Sequence, residues 1–230
     1  MASKDPDRAH DPTAQAAGLR RRDAQAGEPV DEHEPQIGEP LDPEADERPR
    51  RDPEEEARRT VAMSFIRRLG DPVLKSRATP VDRFDDTLRG QVARMAAIMK
   101  DAFGVGLAAP QLGVSQRVLV YRVGTDAPLV ALVNPEIEWT GDEEEPMEEG
   151  CLSIPGVQVD VERPVHLRVR AQDEHGEPLL VEASGLEARV IQHEVDHLDG
   201  ILILDRTSRD QRKEAMRQLR EMEREGERAA

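Results

Sequence analysis

Apolar side chains recur along the chain with two different periods, and the change of period marks out the elements. Over residues 82–103 they fall at Leu88, Val92, Met95, Met99 and Phe103, at spacings of four and three that put them on one face of an amphipathic helix, with Gly104 as its stop. The pattern then changes to short β-branched runs at 117–123, 129–133, near 157–161 with alternating valines, 166–169 and 179–181. Runs of this kind predict strands. Turn-forming segments, Gly124-Thr125-Asp126 and Asp173-Glu174-His175-Gly176, separate them, which favours antiparallel connections over crossover helices. The helical period returns over 184–200, with Ser184 and Glu187 spaced as a capping box and Gly200 at the end, and again from Ser208 onward. The pattern predicts an α+β domain.

Residues 1–60 carry no such pattern. Their large apolar side chains are Met1, Leu19, Val30, Ile37 and Leu41, and they hold eight of the 17 prolines. Their 10 basic and 17 acidic residues contribute −7 to a chain total of −16. So little apolar surface does not offset an ordering entropy of roughly 1–2 kcal/mol per residue, so 1–60 is expected to be a disordered acidic, Pro-rich tail and 61–230 the folded domain. The tail lacks the continuous apolar stretch of a secretory signal, and it is too acidic for an organellar transit peptide. No run approaches the roughly 20 apolar residues of a membrane span. A soluble, cytoplasmic protein is expected. The negative charge and the presence of only Phe65, Phe84, Phe103, Tyr121 and Trp139 as aromatics argue against a nucleic-acid site, which relies on clustered Lys and Arg and on stacked rings.

The second helix carries the chemistry. It contains His193-Glu194-Val195-Asp196-His197, and helical spacing puts His193 and His197 one turn apart on the face that also carries Leu186 and Val190. Two inward-facing imidazoles can bind a metal, and Glu194 beside them can take a proton from water. Core histidines at this spacing also cap backbone carbonyls, so the pair alone leaves both readings open. A third ligand decides between them. Zinc peptidases with this motif supply either a later His or a glutamate on the next helix. Here the position for the later His is Ile203, and Glu214 and Glu221 lie in an alternation of Arg and Glu that reads as a solvated helix face. Upstream lies Glu149-Gly150-Cys151-Leu152-Ser153, just after an acidic loop at 142–145. A lone cysteine is ordinarily core filler, but its conjunction with the two histidines favours a Cys/His/His site with a fourth position open for water. Gly104-Val105-Gly106-Leu107-Ala108-Ala109-Pro110-Gln111 allows close backbone approach to a ligand and ends in an amide donor.

GVGLAAPQ, EGCLS and QHEVDH, in this order, resemble the three signature motifs of the peptide deformylases, over about residues 73–224. The resemblance implies antiparallel β-sheets packed around a central metal-binding helix, followed by a C-terminal helix. It implies hydrolysis of the N-formyl group from the formyl-methionine of nascent polypeptides, with release of formate. Position by position, it assigns Cys151, His193 and His197 as ligands of one divalent metal ion. Fe²⁺ is the ion favoured by the resemblance, and Zn²⁺, Ni²⁺ and Co²⁺ also suit the donors. Glu194 becomes the general acid/base, and Gln111 with the Leu152 N–H holds the formyl oxygen. Val105, Gly106 and Gly150 would pair with the substrate backbone, and Val105, Leu186 and Val190 would line a pocket for the methionine side chain. Glu149 and Arg163 are a candidate pair that fixes the cysteine loop, while Arg189 has no assigned direction. Some deformylases dock transiently on the ribosome through a basic C-terminal helix. The mixed charge of 209–228 supports that contact only weakly. A zinc peptidase acting on internal bonds and a non-catalytic binding protein are the competing readings, and the retention of Glu194 and Gln111 speaks against the second.

Overall fold

The computed structural model describes residues 20–23 and 52–229 apart from Thr125. The expected tail at 1–60 lies mostly outside these residues. Two parts of it do not: residues 20–23 form a strand, and α1 (Pro53–Ser64) begins eight residues before the expected domain boundary. Asp52 accepts from the Glu54 N–H, Pro53 occupies the first helical turn and Glu54, Glu55 and Glu56 follow it, a favourable start at the positive end of a helix. α2 (Asp86–Asp101) follows, capped by Asp85, with Leu88, Val92, Met95, Ile98 and Met99 buried. The predicted apolar stripe is therefore present, but Phe103 lies beyond the helix at positive φ, 47% exposed.

Among the described residues β1 (Arg20–Asp23), β2 (Gly106–Ala108), β3 (Val118–Tyr121), β4 (Val130–Thr140), β7 (His166–Gln172) and β8 (Pro178–Ser184) form one sheet. Their order across it is β1-β8-β7-β4-β3-β2. All pairings in it are antiparallel except β1 with β8. A separate hairpin joins β5 (Glu144–Cys151) to β6 (Ile154–Pro164). The acidic segment expected to be a loop at 142–145 thus enters a strand. Its partner β6 alternates buried and exposed along its length, so the hairpin gains its apolar face from β6 rather than from β5.

α3 (Gly185–Leu198) runs against the sheet, with Ala188, Val190, Ile191, Val195 and Leu198 packed on Leu119, Leu132, Val169 and Val181. The predicted capping box at its start is absent. Ser184 makes no side-chain cap, and Glu187 instead accepts from the Tyr121 hydroxyl at 2.9 Å. Leu186, expected on the inward face, is 49% exposed. At the other end Gly200 has φ 74°, and a Cβ there would lie 2.8 Å from the Lys75 carbonyl carbon, so both backbone and space demand glycine. α1, the residues just after it and α2 cover the other face of the sheet through Ala62, Ile66, Val92 and Met95. α4 (Ile203–Arg206) and α5 (Arg209–Ala229) pack on the hairpin through Leu202, Ile203, Ala215, Met216 and Leu219. Among the described residues no helix is long and apolar enough to cross a membrane.

Candidate metal centre and active site

The hairpin and α3 meet at one point. β5 ends at Cys151, where a register shift between Gly150 and Cys151 turns the strand out of line. α3 brings His193 and His197 to the same place, with ring centroids 5.1 Å apart and planes at 66°. One donor atom from each of Cys151, His193 and His197 lies within 4.8 Å of the others, and the Cys151 Sγ is 3.3 Å from His197 Nε2. Burial pushes the Cys151 thiol up, but the neighbouring imidazoles of His197 and His193 outweigh burial and hold it well below the ordinary thiol range. A sulfur beside two imidazoles, with its thiol shifted towards the thiolate, is a donor set suited to a divalent ion.

A buried carboxylate fixes this arrangement. Glu149, two residues before Cys151, accepts from Arg163 Nε at 2.6 Å and Nη2 at 2.9 Å, from Arg189 Nη1 at 2.8 Å, and faces His193 Nδ1 at 3.0 Å. Burial raises its pKa, while the hydrogen bonds from His193 and Arg163 more than compensate and bring it down to about 2. With Nδ1 held by Glu149, His193 presents Nε2 to the metal position, the usual way a carboxylate orients a ligating imidazole. Arg163 also reaches Asp196 at 2.9 Å, and Asp196 is tied to Arg206. The candidate pair Glu149 and Arg163 is therefore one edge of a larger network. Arg189 belongs to it as well: buried, it also donates to the carbonyls of Val161 and Glu145, linking α3 to both strands of the hairpin.

Glu194 stands beside the cluster, buried, with Oε2 lacking a hydrogen-bond partner among the described residues. Burial pushes its pKa above the usual carboxylate range against the pull of His193 and His197. Gly106 makes room for it: a Cβ at Gly106 would lie 2.9 Å from the Glu194 carboxyl carbon. Gln111 is 1% exposed. Its Oε1 accepts from the Ala108 N–H at 2.8 Å, which aims Nε2 at Ser153 Oγ, 3.4 Å away, on the Cys151 side of the site.

A cleft of about 580 Å³ opens onto these groups. Cys151, His193, Glu194, Gln111, Leu152, Val105, Gly106, Gly150, Leu186 and Val190 all line it, and His197 lies buried behind the wall. The residues that the family resemblance assigns to the site thus lie together around one cleft. Glu214 and Glu221 are not: both pair with Arg217 on the exposed face of α5, and Ile203 is buried in the hairpin core. The cleft also has walls that sequence reading passed over. Arg59 and Met63 of α1 line it, as do Phe103, Met147 and 155–158 at the start of β6. The start of α1 was readable in Asp52-Pro53-Glu54, a cap, a proline and an acidic first turn, but the average composition of 1–60 obscured it.

The sequence model of the family described as polypeptide deformylase matches residues 63–213. The peptide deformylase of Parafrankia sp. (strain EAN1pec) is 48% identical over 163 residues, which cover 71% of this chain and 88% of that protein. That of Natranaerobius thermophilus is 49% identical over 146 residues, 64% of this chain and 93% of the relative. Among solved structures, a peptide deformylase from Legionella pneumophila superposes with a TM-score of 0.67 at 41% identity, covering 71% of this chain and 96% of its own. A peptide deformylase from Synechococcus elongatus in complex with actinonin gives 0.64 at 45% identity, over 66% and 85% of the two chains.

Proposed function

This chain belongs to the polypeptide deformylase family, enzymes that remove the N-formyl group from nascent polypeptides, and from that premise we propose that Cys151, His193 and His197 hold the one divalent ion needed for the reaction. The observation that carries this reading is the meeting of the three donor atoms within 4.8 Å at the floor of the cleft. When bound, the ion supplies Lewis acidity, which polarises a carbonyl and brings the pKa of water down towards about 7. Fe²⁺ is the proposed ion, a choice that rests on the family resemblance. Zn²⁺, Ni²⁺ and Co²⁺ suit the same donors.

The chain's own groups do the rest. Glu194, buried against Gly106, takes the proton of the attacking water and returns it to the leaving amine, a role typically worth roughly 10²–10⁴ in rate. Attack on the formyl carbon leaves a tetrahedral oxyanion. Gln111 Nε2 and the Leu152 N–H donate to it, each worth on the order of 10²–10³. Products are formate and a peptide with a free N-terminal methionine.

The substrate chain lies along β2, which among the described residues is an edge strand paired with β3 alone. Main-chain bonds to Val105, Gly106 and Gly150 read no sequence, which suits an enzyme acting on many nascent chains. Leu186 and Val190, with Val105, take the methionine side chain. The catalytic domain in this reading begins with α1 rather than at residue 61. The enzyme works in the cytoplasm on emerging formylated chains. Any ribosome contact is transient and gains little from α5, whose Met216 and Leu219 pack on the hairpin while Glu214, Arg217 and Glu221 pair among themselves. No nucleic-acid or membrane partner is proposed.

The test is formate release from formyl-Met-Ala-Ser under anaerobic conditions, beside cleavage of the unformylated peptide. Formate from the first and no cleavage of the second is expected; cleavage of internal bonds would favour the peptidase reading.

A further inference from the structure

α1 lies almost wholly ahead of residue 63, where the family match begins, so neither motif nor resemblance gives it a task. It is seated firmly, with Ala62 and Ile66 in the same buried cluster as Val92, Met95 and Met99 of α2. From that seat Arg59 and Met63 reach the cleft that also holds Phe103, Gly104 and Val105.

Arg59 is a cation with little to hold it inside the protein. Among the described residues its one ion pair is to Glu56, one turn earlier on the same helix, at 3.8 Å. Its Nε is buried with no hydrogen-bond partner among the described residues, although 34% of the side chain is open to solvent. A buried N–H of this kind is unfavourable until an acceptor reaches it. Among the described residues the carboxylates of the cleft do not supply one: Glu149 is taken up by Arg163, Arg189 and His193, Glu194 lies against Gly106, and Glu148, exposed on β5, leaves Arg59 Nε unpartnered.

We infer that Arg59 determines specificity by binding a carboxylate on the substrate peptide, an early Asp or Glu side chain beyond the formyl-methionine. The inference rests on the reading of the cleft given above as a deformylase site. In an added strand alternate side chains face opposite sides at 3.2–3.4 Å per residue, so one position along the peptide faces α1 and its neighbours do not. The chain's net charge of −16 opposes acidic ligands at long range, but at physiological salt this repulsion fades over about 8 Å, leaving the local pair to decide.

The experiment compares kcat/KM for formylated tetrapeptides carrying Glu, Gln or Lys at each of positions two to four, with Arg59→Gln and Arg59→Glu beside the wild type. At one position the wild type is expected to prefer Glu over Gln by about three- to fivefold, the range of a partly exposed charge pair, with the preference shrinking as salt is added. Arg59→Gln abolishes it and Arg59→Glu turns it towards Lys, each read as the ratio of Glu to Gln to Lys rates within one protein, so that any change in that protein's overall rate cancels. A purely structural role for Arg59 would change all peptides alike. Turnover with equal rates for Glu and Gln at every position, or the same preference in Arg59→Gln, would overturn the inference alone. Absence of formate from every formylated peptide would overturn the deformylase reading and this inference with it.

Discussion

Glu149 and His193 face each other at 3.0 Å across the junction of the hairpin and α3, so the strand that delivers the cysteine and the helix that delivers the imidazoles are fastened by the contact that orients one of the ligands. Structure and chemistry share a residue here. Loss of Glu149 would leave the guanidinium groups of Arg163 and Arg189 buried without their shared partner.

Glu149→Gln is therefore expected to weaken metal binding by about 10–100-fold, the usual effect of removing a group that orients a ligand. It should also lower stability by roughly 1–3 kcal/mol, since Arg163 and Arg189 lose a shared charged acceptor while Arg163 keeps Asp196. Chelator competition and urea unfolding read the two effects separately. Unchanged values in both would show that the network is not what fixes the site.

Gly106→Ala separates geometry from folding. The glycine's φ is not in the left-handed region, so the backbone tolerates alanine, but the added Cβ would stand 2.9 Å from the Glu194 carboxyl carbon. Displacing that carboxyl by about 1 Å should cost on the order of 10² in kcat, with metal content and thermal unfolding close to wild type. A fully active variant would mean that Glu194 is not held where it is needed.

Gly200 and Gly185 both have positive φ, at 74° and 54°, yet only Gly200 has neighbours where a Cβ would go. Alanine at 185 should lower stability by about 1 kcal/mol through backbone strain alone. Alanine at 200 should cost several-fold more, because the Lys75 backbone cannot yield as a flexible side chain would. Denaturant midpoints measured side by side test the ordering.

Much of this architecture was legible in the residues. The four- and three-residue spacing of Leu88, Val92, Met95 and Met99 located α2, the alternating valines located β6, and three short motifs brought together groups that lie as much as 92 residues apart, from Val105 to His197. What stayed hidden has physical reasons. β5 reads as an acidic loop because Glu144, Glu145 and Glu148 carry no apolar period. It becomes a strand through pairing with β6 and through Arg189, which bonds its backbone at Glu145 and its Glu149 carboxylate. α1 was masked by the Pro-rich, acidic residues before it, although Ala62 and Ile66 four positions apart supply a short apolar edge. Leu186 has helical phase with the histidines but sits in the first turn of α3, where the helix emerges from the domain.

The central claim is that Glu194 performs the proton transfers at a metal held by Cys151, His193 and His197. Its most direct test is formate release from formyl-Met-Ala-Ser by Glu194→Ala and the wild type, both purified anaerobically and both assayed for bound metal. The account predicts equal metal content and a rate lower by about 10²–10⁴-fold in the variant. Equal rates at equal metal content would contradict it.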